Sequence, residues 1–404
     1  MNETRHFALI LLLIAAVGLV AVLANLVTER LRVPAPVLVL IAAAVAVKAV
    51  PALHAPSEQM VEHILTVALI CILFDGGMHI GVGRFRTAAG AIASIGVLGT
   101  FLTAGAGALL LHAAFGLSWF AALLVATAIA PTDPAVVFSV LGKREIAGRS
   151  GTVLEGESGA NDPVGIALMS SLIAAGAVSA HAFGQVGLEF VLQIVVGAVL
   201  GLVGGRALLW FMRRVHLPGE GLYPLRTLTA AGVLYGVATL AHGSGFLAVF
   251  VAGIIIGDEE APQKREIRRF HAALAGLAEI VAFVVLGLTV DLDVLSHRNV
   301  WLPGLVLALV VACVARPLLV GLCLLPARLA RNESAFVLFA GLKGAVPLLL
   351  GQLMLGAHLQ GAPRLYGIVV VVVVFSVLVQ GTLTPFVADR LRIPMRGEEP
   401  PGVG

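Results

Sequence analysis

Long apolar runs, nearly free of charge, recur from one end of this chain to the other. Residues 7–27, 299–315 and 365–379 hold no Asp, Glu, Lys or Arg at all. A backbone that enters hydrocarbon must satisfy its own N–H and C=O groups, and a helix does so within one segment. About 20 apolar residues suffice for a helix to cross. Composition agrees: 12% of the 404 residues are charged, against roughly 25% in soluble domains. The expected class is an all-α polytopic membrane protein.

Thirteen spans are expected, at 6–28, 33–50, 61–80, 88–114, 117–141, 152–178, 183–212, 224–241, 245–257, 271–290, 300–325, 334–357 and 364–389. An odd number puts the termini on opposite sides. The excess of Lys and Arg on cytoplasmic loops then sets the orientation. With the N-terminus outside, 19 of the 26 Lys and Arg residues fall at inside ends, Arg226 among them. Only Arg5, Lys48, Arg298 and Arg364 fall outside, and Arg206, Arg316 and Lys343 lie within spans. The C-terminus, with a short tail at 392–404, is therefore expected in the cytoplasm of a prokaryote, the protein lying in its plasma membrane.

Several classes are set aside on the same residues. A net charge of +3 gives no reason to expect a nucleic-acid partner. Cys71, Cys313 and Cys323 match no metal or disulfide spacing. No phosphate-binding glycine motif follows a strand, so no cofactor is expected. With a longest polar loop at about 258–270, no fused soluble domain is expected.

A charge in the middle of a membrane helix is costly and usually has a partner or a function. Asp75, Asp133, Glu157, Asp162, Glu279, Arg316 and Lys343 are such charges. Glu279 is open between a packing role and a functional one. Glu155 reads as a wet helix start and Arg206 as a snorkelling cation. In LEGESGANDPVGIAL, residues 154–168, helical spacing puts Ser158 with Asp162 on one face and Glu157 with Asn161 on another. In ATAIAPTDPAVVF, residues 126–138, Pro131 and Pro134 bracket Thr132 and Asp133. A helix interior absorbs such a pair poorly. In FAGLKGAVPLLLG, residues 339–351, Gly341, Gly344 and Pro347 surround Lys343. Two broken spans, the fifth and the twelfth, then occupy matching places in the groups 4–6 and 11–13. Seven spans apart they run in opposite senses. Two inverted repeats whose broken helices cross at the midplane point to a binding site there. Lys343 near a half-helix C-terminus would also offset its partial negative charge.

These stretches together resemble a known family. APTDPAVVFSVL (130–141) followed by LEGESGANDP (154–163) is similar to the paired motifs of NhaP/NHE-type sodium/proton antiporters, members of the monovalent cation:proton antiporter family. LFDGGM (73–78) and GLKGAVPL (341–348) resemble that family's third-span and twelfth-span motifs. Lys343 and Asp75 stand where the family commonly has Arg and Glu.

The resemblance implies one transporter unit over 1–391. Its ion-carrying core would use spans 88–178 and 300–389, and spans 6–80 and 183–290 would form a homodimer interface. It implies that Asp162 exchanges cation for proton. Asp133, Ser158, the Thr132 carbonyl and, through water, Asp75 would complete the sodium site. Glu157 would pair with Arg316. Asn161, which does not titrate, goes with one proton per cation. Carboxylate, hydroxyl and carbonyl oxygens suit hard cations such as Na+ or Li+. Potassium/proton exchange on the same fold is the nearest alternative. A cation channel would want a continuously lined pore. An intramembrane aspartyl protease would carry a different motif around its acids. The expected activity is transport, not enzymatic catalysis.

Overall fold

The computed structural model describes residues 35–49, 56–141, 145–146, 148–176 and 180–396. The expected span 6–28, the charges Arg5, Arg30, Arg32, Lys143 and Arg144, and the tail beyond 396 lie outside the described residues.

Helices make up nearly all of the described chain. Those of eight or more residues are, in order, α1 (Ala35–Ala49), α2 (Glu58–Ala93), α3 (Thr100–Phe115), α4 (Trp119–Ala128), α5 (Pro134–Leu141) and α6 (Arg149–Ala175). Then come α7 (Ala180–Arg214), α8 (Leu222–Leu240), α9 (Gly245–Gly257), α10 (Lys264–Leu288) and α11 (Arg298–Val310). The last four are α12 (Arg331–Phe339), α13 (Ala345–Gly356), α14 (Ala362–Phe375) and α15 (Thr382–Arg390). Three π-helical stretches, Ser94–Gly99, Val311–Val320 and Ser376–Gly381, continue α2 into α3, extend α11 and join α14 to α15. The expected spans from the second onward fall on helical segments, the third and fourth together on the single segment Glu58–Phe115.

Not every expected span is long and apolar enough to cross a membrane alone. Among the described residues five segments are: Glu58–Phe115, Gly184–Arg214, Lys264–Leu288, Arg298–Cys323 and Ala362–Arg390. Several of the exceptions have local causes. The fifth and twelfth spans are broken, and α6 is interrupted by polar residues. At 13 residues, α9 is about 20 Å long on a rise of 1.5 Å per residue. It is buried between α2 and α7, so it need not meet lipid at both ends.

The junction of the third and fourth spans differs from the sequence expectation of a loop over 81–87. Only Gly81 leaves helical geometry within Glu58–Ala93, with φ 64° and ψ 169°. That left-handed φ is open to glycine at little cost. Asp258, which follows α9, clasps the turn: its carboxylate accepts the Gly83 N–H at 2.5 Å. A side chain at 81 would overlap that carboxylate. A second difference is a two-residue ladder in an otherwise helical chain. β1 (Glu145–Ile146) pairs antiparallel with β2 (Met395–Arg396), tying the segment after α15 to the loop after α5. A third concerns Arg226, counted above at an inside end. It lies in α8 and is buried, donating to the Val215 carbonyl at 2.9 Å and sitting over the Phe211 and Tyr223 rings.

The repeat is visible in how elements recur. A helix with a π-helical stretch precedes a broken helix twice: Ser94–Gly99 before α4 and α5, and Val311–Val320 before α12 and α13. The two π-bearing helices pack on each other, α3 against Val311–Val320. The two breaks meet as well, as the next subsection details. By contrast α7 shows Leu188, Val195 and Val203 on an exposed apolar face.

Candidate functional site

Two chain breaks and one continuous helix build the site. Helix α4 starts on Ser118, whose hydroxyl accepts the Ala121 N–H at 3.2 Å, and ends at Ala128. The chain is then non-helical until Pro134 opens α5. Pro131 and Pro134 lack the N–H groups that would carry α4 through, so carbonyls of the last turn are left open. The second break separates α12 from α13, with Gly341–Gly344 non-helical between them.

Each break supplies what the other lacks. The Asp133 N–H donates to the Leu342 carbonyl at 2.8 Å. The Lys343 ammonium donates to the carbonyls of Ala130 and Pro131, both at 3.0 Å. The Lys343 side-chain nitrogen thus sits at the C-terminal end of α4, where the helix dipole favours a cation. No bidentate fork is needed for two carbonyls on successive residues, so Lys serves here as a point charge. The Lys343 N–H donates to the Ser376 hydroxyl at 3.0 Å, which anchors the break to the π-helical stretch of the last span. Gly344 lies against the Asp133 carboxylate so closely that any side chain at 344 would overlap it.

Helix α6 runs past both breaks. Asn161 is the clamp: its Oδ1 accepts the Thr132 N–H at 3.3 Å and its Nδ2 donates to the Thr132 hydroxyl at 2.8 Å. One turn away on the other face, Ser158 Oγ donates weakly to Asp162 Oδ2 at 3.5 Å. The second oxygen, Asp162 Oδ1, is buried and has no hydrogen-bond partner among the described residues. Glu157 and Arg316 form a two-point pair, Nη1 to Oε1 at 2.7 Å and Nη2 to Oε2 at 2.9 Å. The same guanidinium donates to the carbonyls of Leu338 at 2.8 Å and Val337 at 3.3 Å, which closes the C-terminal end of α12.

A cavity of about 360 Å³ reaches Asp162 and Asp133. Asp75, His79, Ser158, Glu155 and Glu279 also line it. Four segments make most of the wall: α2 before Gly81, Asp133 with Pro134 and Phe138 of α5, the first half of α6 and the middle of α10, with Phe250 of α9 and Ala345 and Val346 of α13 completing it. All four segments end on the side that carries Arg84, Arg86, Arg149, Lys264 and Arg265. The cavity therefore lies in the half of the protein flanked by basic loops. Asp75 pairs with His79, Oδ2 to Nδ1 at 3.3 Å, and leaves its Oδ1 buried without a hydrogen-bond partner. Among the described residues no three His, Cys, Asp or Glu side chains converge as a resident metal centre would require.

The sequence profile of the transmembrane sodium/hydrogen exchangers matches residues 16–390. The chain belongs to that family. Among curated proteins, this exchanger is 32% identical over 397 residues to "K(+)/H(+) antiporter NhaP" of Alkalimonas amylolytica, covering 97% of this chain and 68% of that protein. It is 35% identical over 319 residues to "K(+)/H(+) antiporter NhaP2" of Shewanella oneidensis, covering 78% and 55%. It thus spans between half and about two thirds of the length of these relatives. Identity to "Na(+)/H(+) antiporter NhaH" of Halobacillus dabanensis is 25% over 347 residues, covering 82% and 84%. The sodium proton antiporter MjNhaP1 of Methanocaldococcus jannaschii shares the fold, with a TM-score of 0.78 at 21% identity over 92% of this chain and 99% of that one.

The nine residues singled out in the sequence form two groups in this exchanger. Asp162, Ser158, Asp133 and Asp75 line the cavity. Thr132, Asn161, Lys343, Glu157 and Arg316 hold its walls together through the bonds given above. Thr132 is tied by both its N–H and its hydroxyl, so its side chain is committed to Asn161. His79 is missed by the sequence reading. Its signal is the spacing of four from Asp75 on one helix. Glu155, read as a wet helix start, lines the cavity and lies 4.0 Å from Arg84 Nη1.

The Lys343 contacts give an expected result. Lys343→Met leaves two buried carbonyls unsatisfied at the break. An orphaned buried polar group costs about 1–3 kcal/mol. The variant is expected to unfold earlier in a thermal melt in detergent and to bind cations poorly. An unchanged melting temperature would show that the ammonium is not holding α4.

Proposed function

We propose that this protein is a secondary antiporter that exchanges a monovalent cation, Na+ or Li+, for a proton by alternating access. The observation that carries the proposal is Asp162 Oδ1: buried at the meeting of two helix breaks, without a hydrogen-bond partner among the described residues, and reached by a cavity. A lone carboxylate oxygen in that place binds a cation or a proton but gains little from remaining bare. A group that rarely crosses the membrane empty couples the two fluxes. Asp133, Ser158 and the Thr132 carbonyl would supply further oxygens to the ion, and Asp75 would act through water. Asn161 is committed to Thr132 and takes no proton, which supports a 1:1, electroneutral exchange.

The cavity's position among the basic loops supports an inward-open state, with the C-terminus cytoplasmic and the protein in the plasma membrane of a prokaryote. The breaks, α6 and the π-bearing helices would be the moving core (88–178 and 300–389). The exposed face of α7 would belong to the static unit (6–80 and 183–290), on a dimer interface or against lipid. Potassium is the second reading, favoured by the names of the two relatives at 32% and 35% identity.

Flux in proteoliposomes tests the cation. With a pH dye inside and a pH gradient imposed, added Na+ or Li+ is expected to dissipate the gradient. The rate should not change when valinomycin and balanced K+ clamp the voltage. Dissipation by K+ alone would replace the substrate and keep the mechanism. A rate that follows the clamped voltage would overturn electroneutrality.

A further inference from the structure

Away from the basic loops, α10 leaves the cavity and enters solid packing. The cavity lining on that helix stops at Glu279. From there α10 runs about 14 Å further, on a rise of 1.5 Å per residue, with Ala282, Phe283, Val285 and Leu286 buried. Gly287 lets the Leu40 carbonyl of α1 come so close that any side chain at 287 would overlap it, which fixes this end of α10 to α1. Tyr366 of α14 meets the same end. It is buried, and its ring lies on Gly351 of α13, where a Cβ would come within 2.6 Å of it. The Tyr366 hydroxyl lies 2.9 Å from Thr289 Oγ1 and 3.4 Å from the Leu286 carbonyl. The Thr289 hydroxyl already donates to that carbonyl at 2.8 Å, so the phenol is the donor to Thr289.

Both acceptors lie outside the helix that carries Tyr366. From Gly367 to Phe375 that helix is wholly apolar, and Phe at 366 would fill the same space. A buried hydroxyl is costly unless it is hydrogen-bonded, so this one bond accounts for the phenol. In the division proposed above, α14 moves and α10 stays. The bond therefore crosses the boundary between the two units, on the side away from the cavity mouth. A second contact crosses there: His358 Nδ1, after α13, lies 3.8 Å from Glu58 Oε2 at the start of α2. Both of those side chains are exposed, and such pairs contribute little. The buried phenol is the contact that can weigh one state against the other.

We infer that the Tyr366 phenol is an outer latch. Bonded to Thr289, it holds the moving helices against α10 while the site is open toward the basic loops, and it lets go when the site turns outward. This rests on the antiport reading above. The latch touches no ion. It sets how often the exchanger presents Asp162 to the outer face. A hydrogen bond made in one state and exchanged for water in the other biases the two by roughly three- to tenfold. The apparent affinity measured from one face scales with the fraction of molecules open to that face. Removing the hydroxyl strands no partner, because Thr289 keeps its own bond to the Leu286 carbonyl.

The test measures cation-driven proton exchange in membrane vesicles of both orientations, with Na+, or with K+ if the wild type exchanges only K+. Tyr366→Phe is expected to lower the apparent KM for the cation at the outer face by about three- to tenfold, and not to lower it at the basic-loop face. Thr289→Val should act in the same direction. The double variant should go little further than the larger single one, since both substitutions remove one bond. Thermal melts in detergent check that each protein is folded, and Thr289→Val carries the test if Tyr366→Phe is not. An unchanged outer KM in the folded variants would overturn the latch. So would a KM that falls equally at both faces, which is what loosened packing gives. Wild-type exchange that proceeds without Asp162 would instead remove the antiport reading. Exchange that needs Asp162 while the outer KM stays put would remove the latch alone.

Discussion

Exchange by the Asp162→Asn variant is expected to fall to the level of protein-free liposomes. The substitution is close to isosteric, so Ser158 keeps a partner and α6 keeps its packing. What disappears is the negative charge and the capacity to take up a proton. Asn at 162 offers a cation one neutral carbonyl oxygen and offers a proton nothing. Asp133 remains within the site, but its backbone and its contact with Gly344 tie it to the second break. The measurement is dye-reported proton flux on addition of Na+, Li+ and K+ in turn, with insertion checked by reconstituted yield. Cation-driven flux near the wild-type rate in any of the three would remove Asp162 from its assigned role.

The second large effect concerns stability. Glu157→Gln removes one partner from an ion pair whose members are 2% and 4% exposed. Removing one member of such a pair costs about 3–5 kcal/mol, because the other charge stays buried. Arg316 would keep its bonds to Leu338 and Val337, so α12 retains part of its end-cap. The double variant Glu157→Gln, Arg316→Met should be less damaged than the sum of the two singles, since no charge is stranded. Thermal unfolding in detergent of the four proteins closes the cycle. Strict additivity would mean that the two side chains do not act together. Altered ion preference at unchanged stability would move Glu157 into the ion site.

Much of this architecture is legible in one dimension. Pro131 and Pro134, and the cluster Gly341, Gly344 and Pro347, mark both breaks because missing donors and weak helix formers act locally. The place of Lys343 at a helix end follows from the sign of the dipole. Glu157 and Arg316 are 159 residues apart, and their pairing is legible only through the family resemblance. Other features needed three dimensions. Nothing in α10 says which of its faces lines the cavity, so in the sequence Glu279 is open between packing and function. The spacing of Asn161 from Thr132, 29 residues across a loop, carries no periodicity that would pair them. The turn at Gly81 depends on Asp258, far along the chain. A two-residue ladder such as Glu145–Ile146 with Met395–Arg396 is too short to leave a pattern.

The mutual completion of the two breaks also has a consequence in time. Lys343 lies 213 residues after Ala130. At about 5–20 residues per second, the ribosome reaches Lys343 some 10–40 s after Ala130 has been made. Throughout that interval the end of α4 is in the bilayer with its carbonyls uncapped, and water or the insertion machinery must attend to them. The fifth span therefore cannot settle in its final form until the twelfth has been made. A nascent chain that stops before residue 343 lacks the donor that satisfies the Ala130 and Pro131 carbonyls.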